Sequence, residues 1–324
     1  MALTIKNIAQ RAEVSTATVS LALKDDLRIA EKTRKKIKDL AAKLGYIPSN
    51  LGRALQSSKS RLVGYLLSDV TASFYSEILQ GIGEVATANG YGLLVAITDG
   101  SAENKADQLR LFRGKCIDGI LVSNYDTESK RRLMEFEVAG IPVVVCSGDS
   151  LGRRIPNIII NNKKGGVMAA EHLIKLGHRR LAYCFAMNDN CSRYQGCVAA
   201  AKRNGLAPPL RCETKEDLRE TLMSGRRPTG IIAFSDLCAV EVKHVAESVG
   251  LKIPEGLSVV GFDDIWFASL PEFNFTTIAQ PRKEIGRLSM EMLLRRINGE
   301  RVRGKRLDPT LVVRESTAAT GKSS

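Results

Sequence analysis

The sequence predicts a small all-α domain followed by a larger α/β body whose parallel strands divide between two lobes. Two observations support this prediction. Residues 1–61 contain 13 Lys and Arg against 5 Asp and Glu, an excess of +8, whereas the remaining residues add only +5 to the total of +13. From Leu62 onward, short apolar runs alternate with amphipathic stretches, as in parallel sheets covered by helices on both faces. The chain of 324 residues is long enough for more than one hydrophobic core.

The amino-terminal segment predicts two short helices joined by a tight turn. Thr4 can cap a first helix that has one apolar face. Glu13 and Val14 interrupt that apolar pattern, and Ser15 is a suitable N-cap for a second helix. Two short helices in this arrangement form a helix-turn-helix.

The stretch VSTATVS, residues 14–20, consists of small and hydroxyl side chains between two valines, although such residues are poor helix formers. Small side chains let a helix approach a phosphate backbone closely, and hydroxyls and the helix N-terminus can donate to phosphates. With the +8 charge, this segment predicts a module that binds a polyanion. A solvated basic helix is the alternative interpretation of the charge alone.

A third helix is predicted over residues 31–44, with Gly45 at its carboxyl-terminal cap. A short, weak helix beginning at Pro48 follows, and the polar residues 56–61 have the composition of a linker.

The body contains short apolar runs rich in β-branched residues, which predict strands. There are too many for one small sheet, so two βα lobes with a ligand cleft at the carboxyl ends of the strands are expected. The predicted strands are residues 62–67, 91–97, 117–123, 141–146, 157–160, 181–185, 230–234 and 258–262, with a last strand at 310–313.

Several patterns argue against a metal site or an enzyme. The seven cysteines contain no C-x-x-C pair, and the three histidines do not join them at zinc-binding spacing. No cofactor is therefore expected, and the cysteines are expected to be buried free thiols in a reducing compartment. His178 lies at a predicted helix-to-strand junction, where a structural role is favoured. Gly81-Ile82-Gly83 matches a dinucleotide-binding pattern but continues a helical stripe, which favours a helix interior.

The amino terminus does not have the pattern of a secretory signal, because Lys6, Asn7 and Gln10 interrupt its apolar residues. No apolar run reaches the roughly 18 residues of a membrane span. A soluble cytoplasmic protein is therefore expected.

The phrases TIKNIAQRAEVSTATVS, LGYIPSN and RAL resemble the head and hinge of the LacI/GalR family of bacterial transcription repressors. The phrases EHLIKLGHRR, SRYQGC, LSVVGFDD and TTIAQP resemble the periplasmic-binding-protein type I fold of the same family, in which two lobes close over a small molecule. The resemblance covers nearly the whole chain. It implies a helix-turn-helix domain (1–47), a hinge helix with linker (48–61) and an effector-binding and dimerisation domain (62–324), whose lobes comprise 62–160 with 282–308 and 161–281 with 309–316.

The resemblance implies that the helix beginning at Ser15 enters the major groove and that a hinge helix orders on DNA with Leu55 wedged into the minor groove. Leu21 departs from the polar residue common in the family; it can contact a thymine methyl but cannot form the bidentate bonds that read guanine. Ala30 replaces a common serine cap, at a cost of roughly 0.5–2 kcal/mol. The implied DNA-contacting residues are Thr4, Ser15, Thr16, Ala17, Thr18, Ser20, Leu21, Lys24, Asn50, Arg53 and Leu55.

The same resemblance implies an effector site whose chemistry suits a sugar. Carboxylates accept hydrogen bonds from vicinal hydroxyls, an arginine donates a planar fork, and aromatic faces stack on sugar rings. Asn161 and Ser235 stand where Asp and Asn are common, which lowers the charge. For each residue a capping or surface role is the alternative, and for Trp266 it is favoured. The implied effector contacts are Asp69, Phe74, Asn161, Arg193, Ser235, Asp236 and Asp263.

The sequence therefore predicts a repressor that binds near-palindromic double-stranded operator DNA as a homodimer and responds to a sugar or sugar derivative, either an inducer or a corepressor. No leucine-heptad tail follows the last predicted strand, which favours a dimer over a tetramer. The alternative is a solute-binding protein of the same fold without DNA function, which would need a signal peptide and no basic head. An enzyme on the same lobes would need a nucleophile–base arrangement, and the sequence suggests none.

Overall fold

The computed structural model describes residues 3–46, 59–68, 73–98, 101–123, 125, 127–147, 155–185 and 191–320. The chain forms two compact units, residues 1–61 and 62–324. The predicted hinge residues Asn50, Arg53 and Leu55 and the predicted effector contact Asp69 lie outside the described residues.

The described part of the head contains the helices α1 (Ile5–Ala12), α2 (Thr16–Leu23) and α3 (Glu31–Lys43). Thr4 stands at the N-cap of α1, where its backbone N–H and hydroxyl donate to Asn7 Oδ1 at 2.9 and 2.6 Å. Ser15 caps α2 by accepting the Thr18 N–H at 3.0 Å. The predicted helix-turn-helix is confirmed, and its helices share one core formed by Ile8, Ala9, Ala12, Val19, Ala22, Ile37 and Ala41.

Two helix ends in the head carry residues that stabilise them poorly. Glu13, at the end of α1, has φ 59° and ψ 42°, a left-handed conformation that is unfavourable for a residue with a Cβ atom. Ala30 precedes α3 without a side-chain hydrogen bond to the helix, as predicted. Gly45, just after α3, also has a left-handed backbone, at φ 65°, where glycine has no such penalty.

In the described part of the body, the strands form two six-stranded sheets. The strands are β1 (Leu62–Leu67), β2 (Gly92–Ile97), β3 (Gly119–Val122), β4 (Val143–Cys146), β5 (Asn157–Ile160), β6 (Leu181–Cys184), β7 (Leu210–Cys212), β8 (Gly230–Ala233), β9 (Ser258–Asp263), β10 (Thr276–Ala279), β11 (Lys305–Leu307) and β12 (Thr310–Val312). Sheet A has the order β11-β5-β4-β3-β1-β2, and its neighbouring strands are parallel. Sheet B has the order β12-β10-β9-β8-β6-β7 and is parallel except at its edge, where β12 runs antiparallel to β10.

The predicted parallel α/β architecture is confirmed, but β7, β10 and β11 were not among the predicted strands. β7 and β11 are three-residue edge strands, and β11 carries two cationic residues in place of an apolar run. β10 begins with two threonines that are fully buried, so the tertiary structure, not an apolar pattern, makes it an interior strand.

Helices cover both faces of each sheet, and separate buried clusters pack on the two faces. Among the described residues, no helix combines the length and apolar character that crossing a bilayer requires. The helices are α4 (Ser73–Ala88), α5 (Ala102–Gly114), α6 (Thr127–Val138), α7 (Asn162–Lys175), α8 (Ser192–Arg203), α9 (Lys215–Met223), α10 (Asp236–Ser248) and α11 (Arg282–Ile297).

Glycines allow two pairs of helices to cross with their backbones almost in contact. A Cβ atom on Gly81 of α4 would lie 2.1 Å from the carbonyl oxygen of Lys283 in α11. A Cβ atom on Gly166 of α7 would lie 1.9 Å from the carbonyl oxygen of Arg193 in α8. Gly81 therefore lies in a helix interior, as predicted, and its role in the structure is close helix packing.

The buried polar side chains of the body include His178, whose predicted structural role is confirmed. Its ring nitrogens lie 3.0 Å from Thr229 Oγ1 and 3.0 Å from the Ala318 carbonyl oxygen, and burial lowers its pKa. The seven cysteines are free thiols; five are buried as predicted, whereas Cys116 is exposed and Cys238 is half-buried.

Candidate DNA-binding head and effector site

The predicted DNA-contacting residues in the described part of the head are exposed or half-buried. Thr4, Ser15, Thr16, Ala17 and Lys24 are exposed, and Thr18, Ser20 and Leu21 are half-buried. The opposite side of α2, at Val19 and Ala22, is fully buried in the head core. The amino-terminal end of α2 therefore presents small and hydroxyl side chains to solvent beside free backbone N–H groups.

Arg193, at the start of α8, is the centre of the candidate effector site. Its guanidinium carbon lies 3.8 Å from the centroid of the Phe262 ring and 4.6 Å from that of Phe234. Its Nη1 donates to the Phe234 carbonyl oxygen at 2.5 Å and its Nε donates to Asn162 Oδ1 at 3.1 Å. These contacts hold the fork rigidly, with Nη2 3.5 Å from Asp263 Oδ1.

Asp263 ends β9 and is the first of two residues in an unusual corner. Asp263 has φ 106° and Asp264 has φ 55°, so two consecutive residues with Cβ atoms occupy left-handed backbone regions. Asp263 Oδ1 accepts a hydrogen bond from Gln280 Nε2 at 2.6 Å. Burial raises the pKa of Asp263, and the positive charge of Arg193 opposes that rise. Arg193 and Asp263 thus form a charged pair at the carboxyl ends of the strands of sheet B, where a ligand can bind.

Asp236 lies beside this pair but is fully buried. Its Oδ1 accepts the Thr277 hydroxyl at 2.6 Å and its Oδ2 accepts the Ile265 N–H at 2.9 Å. A Cβ atom on Gly261 would lie 2.1 Å from Oδ1, so the carboxyl group fills the space that Gly261 leaves. Burial, and next the charge of Asp263, raise the pKa of Asp236 to about 7. Both oxygens are committed to internal hydrogen bonds, which places Asp236 behind the site surface.

The structure places the other predicted effector contacts around the edges of this group. Ser235 caps α10 by accepting the Cys238 N–H at 3.1 Å. Asn161 lies where the chain passes from sheet A to sheet B; it caps α7 and donates to Asp308 at 3.1 Å. Phe74 lies on α4 and packs against the core of sheet A, with its ring edge-on to Tyr75. Trp266 is 64% exposed.

Sequence reasoning missed the residues that hold Arg193 and Asp263 in place. Phe234 directly follows β8 and Phe262 lies near the end of β9. Both belong to apolar runs, so the sequence pattern indicates only a core position for them. Gln280 and Arg282 follow β10. Their position just after the carboxyl end of a strand could have indicated a site, but β10 was not predicted. Arg282 donates to Glu77 of α4 and to the Asp264 carbonyl oxygen, at 2.6 and 2.7 Å.

Comparisons with known sequences match both parts of this architecture. The family described as "Bacterial regulatory proteins, lacI family" matches residues 4–49, and the family described as "Periplasmic binding protein-like domain" matches residues 170–317. The first match lies on the helix-turn-helix head and argues against the alternative of a solute-binding protein without DNA function.

The relatives are similar over almost their whole length. The HTH-type transcriptional repressor PurR of Vibrio vulnificus (strain CMCP6) is 32% identical, over 97% of this chain and 98% of its own. The HTH-type transcriptional repressor CytR of Escherichia coli (strain K12) is 33% identical, over 98% of this chain and 97% of its own.

Two solved structures share the fold. The lac repressor dimer bound to operator and the anti-inducer ONPF superposes with a TM-score of 0.86 at 24% identity, covering 98% of this chain and 100% of its own. The transcriptional regulator CelR in complex with cellobiose has a TM-score of 0.71 at 26% identity, covering 97% and 99%. Since the relatives are regulators, not enzymes, and match the head and body together, this chain belongs to the LacI family and is a DNA-binding transcriptional regulator.

Proposed function

We propose that the protein is a homodimeric repressor that acts in the cytoplasm on a near-palindromic operator, with α2 of each head in the major groove. The observation that carries this proposal is the Ser15-capped helix, whose exposed Ser15, Thr16 and Ala17 lie on a module with an excess charge of +8. The lac repressor neighbour is a dimer bound to operator. Residues 48–61 are proposed to act as a hinge, with contacts from Asn50 and Arg53 and insertion of Leu55 into the minor groove.

Selection of duplexes from a random pool by the purified protein tests this proposal. We expect near-palindromic duplexes to be enriched, with affinity that falls steeply as salt rises, because cationic residues displace counterions from DNA. Leu55→Ala is expected to reduce specific affinity and DNA bending while leaving the fold intact. Equal affinity for selected and random duplexes would contradict sequence-specific recognition, and unchanged bending by Leu55→Ala at equal occupancy would contradict the hinge assignment.

We propose further that the effector is a hydroxyl-rich molecule, a sugar or sugar derivative, bound by Arg193 and Asp263. Within the described residues, no hydrogen-bond donor engages Asp263 Oδ2, whereas Oδ1 is held by Gln280. A carboxylate oriented in this way can accept a ligand hydroxyl, and the pinned guanidinium beside it can donate to ligand oxygens. The CelR neighbour binds cellobiose, which supports this ligand class.

The remaining predicted contacts have different proposed roles. Phe74 and Asp69 are proposed to contact the ligand from the side of sheet A, and Asn161 and Ser235 to contribute polar groups at the helix ends that they occupy. Asp236 is proposed to act through the Ile265 and Thr277 contacts that shape the corner.

A thermal-shift screen of monosaccharides, disaccharides and nucleosides tests the effector site. A ligand at 100 times its dissociation constant is expected to stabilise the protein by about 2.7 kcal/mol. Arg193→Ala and Asp263→Asn are expected to abolish that shift, while Asp107→Asn, on the exposed surface of α5, is the matched control. Operator affinity with and without the ligand then distinguishes an inducer from a corepressor, because the two binding equilibria are reciprocally coupled. If both site variants respond as the wild type does, these residues are not the ligand contacts.

A further inference from the structure

The corner at Asp263 and Asp264 has a backbone that its own residues do not favour. With φ values of 106° and 55°, both residues occupy conformations that glycine adopts readily and other residues rarely adopt. Such backbone persists only when surrounding contacts hold it. The placement of the Asp263 carboxylate therefore depends on the groups that hold the corner.

Among the described residues, three side chains donate hydrogen bonds to this corner. Gln280 donates to Asp263 Oδ1 at 2.6 Å, Arg282 donates to the Asp264 carbonyl oxygen at 2.7 Å, and Arg314 donates to Asp264 Oδ1 at 2.6 Å. Arg314 follows β12, which belongs to the same sheet as β9. Gln280 and Arg282 lie in the segment where the chain leaves sheet B and begins α11, which packs beside sheet A.

Arg282 also contacts the helix α4 beside sheet A. The same Nη2 atom that donates to Asp264 donates to Glu77 Oε1 of α4 at 2.6 Å. Glu77 lies one helical turn after Phe74, so α4 carries both a proposed effector contact and the anchor of Arg282. One guanidinium thus connects the helix beside sheet A to the corner at the end of β9.

The contacts of Arg282 are poorly suited to stabilising the fold. The residue is 5% exposed, and within the described part of the chain its Nε and Nη1 have no hydrogen-bond partner. Its carboxylate partner, Glu77, keeps 41% of its side chain exposed. A buried cation with unsatisfied donors is costly, and replacing such a group with an apolar side chain is often neutral or stabilising. Global stability therefore does not account for an arginine at this position.

We propose that Arg282 is a positioning residue that ties the Asp263–Asp264 corner to helix α4, so that the effector-contacting carboxylate is held in place by a contact spanning the two lobes. This rests on the proposed function, which assigns the effector contact to Asp263. When one lobe moves relative to the other, the position of the corner changes through Arg282. A ligand that binds Asp263 changes the position of α4 through the same side chain.

Hydrogen exchange of the full-length protein without ligand, followed by mass spectrometry, tests whether Arg282 holds the corner in place. The reporting peptide is 263–270, which contains the buried Ile265 N–H that donates to Asp236. We expect Glu77→Gln and Arg282→Met to accelerate exchange in this peptide, and Arg282→Lys, which retains a cationic donor, to accelerate it less. The matched control is Glu84→Gln, which removes an ion pair with Lys283 between the same two helices, at 2.7 Å, without touching the corner.

The pattern of exchange separates a positioning role from a structural one. Arg282→Met is expected to leave the urea midpoint unchanged or to raise it, while the corner exchanges faster. A loss of global stability with faster exchange throughout α4 and α11 would show that Arg282 is structural and would overturn the proposal. Unchanged exchange at 263–270 in both Glu77→Gln and Arg282→Met would also overturn it. Because no ligand is used, failure of the effector assignment appears separately, as an unaltered ligand response of Asp263→Asn.

Discussion

The buried carboxyl group of Asp236 predicts an unusual dependence of stability on pH. In the unfolded chain its pKa returns to the ordinary value of 3.8, whereas in the folded protein burial and the charge of Asp263 raise it to about 7. Between these values the folded state binds the proton more tightly, so this group's contribution to stability is fully present below pH 3.8 and is lost as pH rises through about 7. The full loss corresponds to roughly 4 kcal/mol.

Asp236→Asn removes this titration and keeps the shape of the side chain. An amide can still accept the Ile265 N–H and can donate to the Thr277 oxygen, so both internal hydrogen bonds can persist. We expect the free energy of unfolding of the variant, minus that of the wild type, to increase by about 2–3 kcal/mol between pH 5 and pH 7.5.

Urea unfolding at a series of pH values between 5 and 8 measures this difference. Burial lowers the pKa of His172 and of His178, so these side chains destabilise the folded state as pH falls, but they contribute equally to both proteins and cancel in the difference. Asp107→Asn serves as the control for the loss of an exposed carboxylate. A difference that stays flat across the range would refute the conclusion that Asp236 holds its proton near neutral pH.

Further substitutions test the head and the helix crossings. Ser15→Ala removes the cap of α2 and is expected to cost about 1 kcal/mol, seen as faster hydrogen exchange of α2 in the full chain. Glu13→Gly replaces a residue in the left-handed conformation with one that adopts it without penalty, and is expected to stabilise the head by roughly 1 kcal/mol. The expected result is slower hydrogen exchange of α1. Gly166→Ala places a Cβ atom 1.9 Å from the Arg193 carbonyl oxygen and is expected to destabilise the body by about 1–3 kcal/mol or more in urea. Gly83 also lies in a helix, but no atom lies within 4 Å of a Cβ placed there, so Gly83→Ala is expected to stabilise the body by up to about 1 kcal/mol. Equal effects of the two glycine substitutions would refute the packing argument.

The head was largely predictable because its determinants are local. The Ser15 cap, the interruption at Glu13 and the glycine after α3 are read from a few adjacent residues, and helices depend on such short-range contacts. The interior parallel strands were predictable for a related reason, because a strand buried on both faces needs a continuous apolar run. Strands β10 and β11 do not have such a run. β10 begins with two buried threonines and β11 with two cationic residues, and both are strands because they pair with strands distant in sequence.

Sequence alone thus determined the two-part architecture and the Ser15-capped helix, and through a family resemblance it singled out Arg193 and Asp263 as proposed effector contacts. Only the tertiary structure showed that Asp236 is buried behind the site, that two phenylalanine rings flank Arg193, and that Arg282 joins Glu77 to the Asp264 backbone across 205 and 18 residues of sequence. The physical reason is that burial, pKa and hydrogen-bond partnership depend on what the folded chain brings within a few ångströms, and no local pattern encodes contacts between residues so far apart.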